Sequence, residues 1–307
     1  MVNDLPEVVN TACCSLFADD LKLYMPIKCI EDTKALQRDI DAVTEWGVQN
    51  KLLFNTSKCK VVTFSRSKTP IWAAYTLLSG PLERVTEIRD LGLNLDSRLE
   101  FRQHIKAICS SAHKILGFVM RIAYQFNDNR VPVLLYNAYV RSQLEFGAIV
   151  WDSPEKKYVL MVEKIQKKFS RFMYKRQYGY YPLLYPSRFI AGMVGMDTLE
   201  LRRKLLLVKH YTLIMRGKID SPAALSRIGI SVPKLCVDTD RGLVAPRRRP
   251  RLFNVPVTRT RSAQNCPTIR ALTSLNALLA KKPHIDVFVD SMVQYILEVY
   301  NFLSHSI

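Results

Sequence analysis

Two adjacent carboxylates, Asp19 and Asp20, stand between the apolar runs 14–18 and 21–25. Like charges that are partly desolvated side by side are costly unless they are paired or bound to a metal. A tight hairpin would carry them at its tip, where a carboxylate can coordinate divalent ions that bridge a triphosphate and an attacking hydroxyl. The plainer alternative is chance, since about one Asp-Asp dipeptide is expected in a chain of this size. A second pattern is basic. Lys164, Lys168, Arg171 and Lys175 recur at helical spacing beside an apolar face of Val159, Val162, Ile165, Phe169 and Phe172. One face of such a helix packs while the other either tracks phosphates or is merely solvated. A third pattern is the arginine run Arg241, Arg247, Arg248, Arg249, Arg251, Arg259 and Arg261, with no acidic residue across 241–261. It reads as a nucleic-acid-contacting or nuclear-localisation-like segment, or as a soluble linker.

The elements that must position these groups differ along the chain. Of 307 residues, 45 are Lys or Arg and 27 Asp or Glu, a formal charge of +18. Residues 1–100 hold 12 basic and 14 acidic side chains, net −2, which leaves 33 basic and 13 acidic, net +20, for residues 101–307. A polyanion partner therefore belongs to the last two thirds, and RNA or DNA fits it. A hydrophobic content of 48% excludes a wholly disordered basic tail. In the first third, β-like runs at 16–24 and 61–64 flank one amphipathic helix, on which Leu36, Ile40, Val43 and Trp46 share a face. Its start is expected near 31–33. Strand, helix and strand with short connections indicate an α+β fold. From residue 101 helical patterns take over, as in Ile105, Ile108, Ala112, Ile115 and Val119, then a segment with Pro132 at the first helical position. Beyond about 230, Pro233, Pro246, Pro250, Pro256 and Pro267 interrupt any helix until a last one over about 287–303. Seven cysteines without a Cys-x-x-Cys pair predict no zinc site and no disulfide framework. No run is long enough to span a membrane, and the first residues lack a secretion signal, so neither membrane insertion nor secretion is expected.

Several ordered motifs carry a resemblance. Phe17-Ala18-Asp19-Asp20 resembles the F/Y-x-D-D hairpin of reverse transcriptases. Trp46, Asn50, Lys51, Leu52, Asn55, Lys58, Cys59 and Phe64-Ser65-Arg66 follow in the order and spacing of the non-LTR, jockey-like retrotransposon enzymes. So do Asp90-Leu91-Gly92 with Leu95-Asp96-Ser97-Arg98-Leu99, Phe101, His104 and Ile105. Tyr139-Val140-Arg141-Ser142, Leu144-Glu145-Phe146-Gly147, Val150-Trp151, residues 165–169 and Leu201-Arg202-Arg203 extend the similarity over most of the chain.

The resemblance implies a partial polymerase palm over 1–100, a mainly helical thumb-like region over 101–230, and a basic Pro/Arg-rich segment over 231–307 that ends in a helix. It makes Asp19 a metal ligand with Asp20 beside it, holding Mg2+ or Mn2+. Lys58 becomes a general acid toward pyrophosphate, and Leu91, Gly92 and Asp96 form a primer-grip-like turn. Lys58 as a surface charge and Gly92 as a turn glycine are the simpler alternatives. The implied partners are RNA and/or DNA and other retroelement proteins, in the nucleus and/or the cytoplasm. The family's palm has a further metal-binding aspartate on an earlier strand, and only 16 residues precede Phe17. Asn3-Asp4-Leu5-Pro6 resembles the family's N-D-L-P, so the resemblance implies a chain that starts just after the template-gripping helix. The expectation is a truncated reverse-transcriptase-like protein that binds nucleic acid and is inactive as a polymerase by itself. A non-catalytic binding protein and a non-functional retroelement fragment remain as alternatives.

Overall fold

The computed structural model describes residues 2–78, 80–231, 236–238, 242–244 and 251–304. Arg241, Arg247, Arg248 and Arg249 lie outside these residues. The chain divides into two compact units, 1–101 and 102–307, and mixes helices with short strands as an α+β chain does.

In the first unit a 3-10 turn, Val2–Val8, leads into the hairpin β1 (Cys13–Phe17) and β2 (Asp20–Tyr24). Alternation settles which face packs. The cross-strand pairs Cys14–Leu23 and Leu16–Leu21 turn toward Leu5, Val43 and Trp46, whereas Ser15–Lys22 and Phe17–Asp20 turn away. The helix α1 (Ile30–Gln49) supplies Val43 and Trp46 to that cluster and Ile40 to a second one with Tyr75 and Leu77. Its first turn is secured by Asp32, whose carboxylate accepts the backbone N–H groups of Lys28 at 2.6 Å and Cys29 at 3.0 Å. At the other end Gly47 lets the chain fold back, because a Cβ there would lie 2.7 Å from the Phe54 ring and 2.8 Å from the Leu52 carbonyl oxygen. The remaining strands are β3 (Lys60–Val62), β4 (Thr76–Leu77), β5 (Gly80–Pro81), β6 (Glu83–Val85), β7 (Glu87–Asp90) and β8 (Leu93–Asp96). β3 runs parallel to β6, while β4–β5 and β7–β8 are hairpins. The strand expected over 61–64 thus lies slightly earlier.

The second unit is built of helices. α2 (Arg102–Ile122) buries Ile105, Cys109, Ala112, Leu116 and Val119, leaving Ile108 and Ile115 half-buried. The centre of its apolar face is therefore rotated by one residue from the expected stripe. α3 (Arg130–Leu135) places Pro132 third, not first, which the helix tolerates because first-turn N–H groups lack intrahelical partners. The chain then passes through a π-helical stretch, Tyr136–Arg141, into α4 (Ser142–Glu145) and α5 (Ala148–Trp151). α6 (Lys156–Tyr178) packs on α2 and stops at Gly179, whose left-handed φ of +83° closes the helix as its N–H donates to the Lys175 carbonyl at 2.9 Å. Phe169 of α6 stacks on Tyr136, centroids 4.2 Å apart.

α7 (Ser187–Met193) and α8 (Leu199–Met215) follow, then the short α9 (Pro222–Leu225) and strands β9 (Gly229–Ile230), β10 (Cys236–Asp238), β11 (Gly242–Val244) and β12 (Phe253–Asn254). α10 (Arg261–Gln264), α11 (Pro267–Lys281) and α12 (Met292–Ser304) complete the unit. The sequence reading missed α11. Pro267 begins this helix instead of breaking it, since Pro is favoured at the first helical position. Leu272, Leu275 and Leu278 of α11 join Val208 of α8 and Tyr295 and Val299 of α12 in one core. Full burial of such side chains contributes about 1.5–3 kcal/mol each.

Candidate functional site

The Phe17-Ala18-Asp19-Asp20 stretch is a two-residue hairpin, with Ala18 and Asp19 between the paired Phe17 and Asp20. Ala18 adopts φ +50°, a region that favours glycine at the first loop position of tight hairpins. Both carboxylates are exposed, and Phe17 is 62% exposed on the outward face. From that face Lys22 of β2 reaches Asp90 at the end of β7, Nζ to Oδ1 2.6 Å. Asp90 pairs with Leu93 across the turn Leu91-Gly92, whose φ values of +43° and +85° are those of a primed hairpin turn. The Lys22–Asp90 ion pair ties the end of β7, just before Leu91 and Gly92, to the middle of β2. Asp96 is elsewhere, at the opposite end of β8, opposite Glu87. Its carboxylate accepts backbone N–H groups from Arg98 at 3.0 Å, Glu100 at 3.0 Å and Phe101 at 2.7 Å, which shapes the turn leading out of the unit. Lys58 is exposed in a turn closed by its own N–H donating to the Asn55 carbonyl, and no described hydrogen bond or ion pair joins it to Asp19 or Asp20.

Asp39 is the acidic residue of this unit that sequence reasoning missed. It is 2% exposed on α1 and accepts the N–H of Asn10, the N–H and hydroxyl of Thr11 and the N–H of Ala12, at 3.0, 3.0, 2.6 and 2.6 Å. Burial alone would raise its pKa, but these four donors hold it below the usual carboxylate range. Asp39 therefore fixes the strand that enters the hairpin to α1. Its position beside Ile40 on the packing face was the available signal.

Two carboxylates on one hairpin do not close a metal site. Among the described residues, no group of three or more His, Cys, Asp or Glu side chains could hold an ion. The described residues do not by themselves fit a metal centre.

In the second unit Lys164, Lys168 and Lys175 lie exposed along α6. Arg171 is half-buried and is committed differently, its guanidinium donating to the carbonyl oxygens of Pro182 and Tyr185. Arg176 likewise donates to the carbonyls of Ala123, at 2.7 Å, and Phe126, and to the Asn129 side chain at 2.7 Å. The sequence reading also missed what α2 adds. Lys106, His113 and Lys114 of α2, with Met161 of α6, line an open cleft of about 500 Å3, and the Lys168 amine lies 3.4 Å from the His113 ring. Lys106 and Lys114 are exposed, so the basic face is two helices wide. They escaped notice because they lie in the gaps of α2's apolar pattern, and only packing shows that they face α6. Arg251 is exposed.

Beneath this face the charges serve the fold. Asp152 accepts from Arg203 at 2.8 Å and from Arg270, joining α8 and α11 to the end of α5. Glu163 accepts the Glu200 N–H at 2.6 Å; its burial raises its pKa against the opposing pull of Arg203. Burial pushes the Cys109 thiol up to about 11, and it lowers the pKa of His104, whose ring packs against Trp151. No helix among the described residues is long and apolar enough to cross a membrane.

Comparison with known proteins agrees with the motifs. Over half its length the chain is similar to an RNA-directed DNA polymerase of a mobile element. That relative is the polymerase from mobile element jockey of Drosophila funebris, 28% identical over 160 residues, 50% of this chain and 17% of the relative. An uncharacterised protein of Caenorhabditis elegans is 29% identical over 136 residues, 44% of this chain and 67% of that protein. No family model matches the chain, and no solved structure does.

Proposed function

We propose that this is a reverse-transcriptase-like protein of a non-LTR retrotransposon whose helical unit binds RNA or DNA. The observation that carries the reading is the exposed basic face of α2 and α6, with Lys106, Lys114, Lys164, Lys168 and Lys175. Similarity to a mobile-element polymerase supports nucleic acid as the polyanion. In this reading residues 1–100 are part of a polymerase palm, the helices over 101–230 act as its thumb, and 231–307 form a basic C-terminal segment. Asp19 and Asp20 are the palm's carboxylate pair, which would need further ligands to hold Mg2+ or Mn2+, Leu91 and Gly92 approach the end of a primer strand, and Lys58 faces the triphosphate. Arg251 and its neighbouring arginines add to the hold on phosphates, and the protein works inside the cell with other retroelement proteins.

The 307 residues alone bind a primer–template without extending it, because Asp19 and Asp20 supply only part of a two-metal site. The test is one reaction series on a labelled primer–template with magnesium or manganese. Retarded mobility with no added nucleotides, unchanged in Asp19→Ala, is the expected result. Incorporation that Asp19→Ala abolishes refutes the inactivity, and absence of a salt-sensitive complex refutes the binding.

A further inference from the structure

Seven cations and no acidic residue occupy positions 164–196, from the middle of α6 to just past α7. The same stretch carries a connected set of aromatic rings. Tyr174, buried at its centre, lies 4.5 Å from Tyr178, 5.5 Å from Tyr180 and 6.1 Å from Tyr185, and Tyr185 lies 5.5 Å from Phe189. Unlike Tyr174, the four outer rings and Tyr181 are between 38% and 50% exposed. Polar contacts tie this surface together. The Tyr174 and Tyr180 hydroxyls are 2.6 Å apart, and Arg171 holds the carbonyls of Pro182 and Tyr185 while its guanidinium stands 6.0 Å from the Tyr181 ring.

We infer that this patch is a stacking platform for a single-stranded nucleic acid. The inference deepens the reading of α6 as a nucleic-acid-binding helix and rests on it. Flat rings presented beside cations bind an unpaired strand through two separable contacts, phosphate to Lys and Arg, and base to ring. A duplex offers its phosphates but keeps its base faces inside the stack, so the rings give the surface a preference that lysines alone lack. The basic stripe runs into the platform on the same helix, with Lys168 and Lys175 bracketing Arg171 and Tyr174. Charge complementarity over the whole stretch favours a polyanion over a protein with a mixed surface. Leu183 and Leu184, 77% and 98% exposed, would suit an anionic membrane surface instead, and the test separates the two.

The test measures anisotropy of the full chain with a labelled oligothymidylate, an abasic strand of equal length and a duplex. Wild type should bind oligothymidylate about tenfold or more tighter than the abasic strand, the change that stacking of a base or two produces. Tyr181→Ala with Tyr185→Ala and Phe189→Ala should erase that preference while leaving the salt dependence intact. Tyr181→Phe with Tyr185→Phe should keep the preference, since the rings remain. The wild-type comparison needs no variant to fold. Equal affinity for base-bearing and abasic strands overturns the platform and leaves the basic face standing, whereas no salt-sensitive binding of any strand overturns both. Tighter binding to the duplex, or capture by phosphatidylserine vesicles with no oligothymidylate binding, also overturns it.

Discussion

Asp39→Ala is the sharpest structural test of how the carboxylate hairpin is held. The wild-type carboxylate accepts four hydrogen bonds from Asn10, Thr11 and Ala12. Hydrogen bonds to a charged group contribute about 1.5–3 kcal/mol each, which would sum to roughly 6–12 kcal/mol if all four donors stayed dry. Asn10 and Thr11 are exposed, so water takes over part of the load on truncation. A net loss of about 3–4 kcal/mol is expected for the segment that leads into β1. Hydrogen–deuterium exchange of the full chain reads this locally, because about 3 kcal/mol corresponds to exchange roughly 150-fold faster in peptides covering 10–24. Asp39→Asn keeps one acceptor oxygen and should fall between. The pH dependence has a fixed sign. The folded pKa lies below the ordinary value of about 3.9, so the unfolded chain binds the proton first. The contribution is complete above about pH 4 and fades as pH falls through the folded pKa, so wild type and variant should converge in acid. Exchange in 10–24 that changes less than threefold in Asp39→Ala would refute the role given to this carboxylate.

Replacing Lys106, Lys114, Lys164, Lys168 and Lys175 by Gln should reduce the slope of log affinity against log salt by about 3.5 for a single strand, at about 0.7 per phosphate contact; an unchanged slope in a salt titration counts against the basic face. Lys22→Ala should cost about 0.5–1 kcal/mol by denaturant unfolding, as a half-buried ion pair would, and the swap Lys22→Asp with Asp90→Lys should recover part of it in a double-mutant cycle. His104 is kept neutral by burial, so its folded pKa lies below the ordinary value of about 6.5 and the unfolded chain binds more protons. Stability should therefore decline as pH drops from about 6.5 toward the folded pKa, and His104→Phe should flatten that stretch of a Tm–pH curve.

Much of the fold was legible where the signal was local. The β-like run around Asp19 and Asp20 and the 3.6-residue stripes of α1 and α6 are properties of neighbouring residues, and they reappear in the structure. What escaped was non-local. The parallel pairing of β3 with β6 joins segments more than 20 residues apart, and no pattern within either strand specifies the partner. α11 was hidden because Pro267 carries two opposite meanings, and only the Leu272, Leu275 and Leu278 stripe behind it shows which applies. For the candidate sites, charge alone did not separate Lys164, Lys168 and Lys175, which stay at the surface, from Arg171 and Arg176, whose donors go to backbone carbonyls. Asp96 shared a motif with Leu91 and Gly92 yet sits at the far end of their hairpin, since residues in one motif need not share one site.

Binding of nucleic acid to the basic face, as proposed, runs through phosphates. It is tested most directly by the affinity of the unmodified 307-residue chain for a labelled oligonucleotide across a salt series. Five or more phosphate contacts predict a log–log slope of about −3.5 or steeper with a single strand, a loss of roughly two orders of magnitude in affinity between 50 and 200 mM salt. An affinity that stays flat across that range would contradict the account.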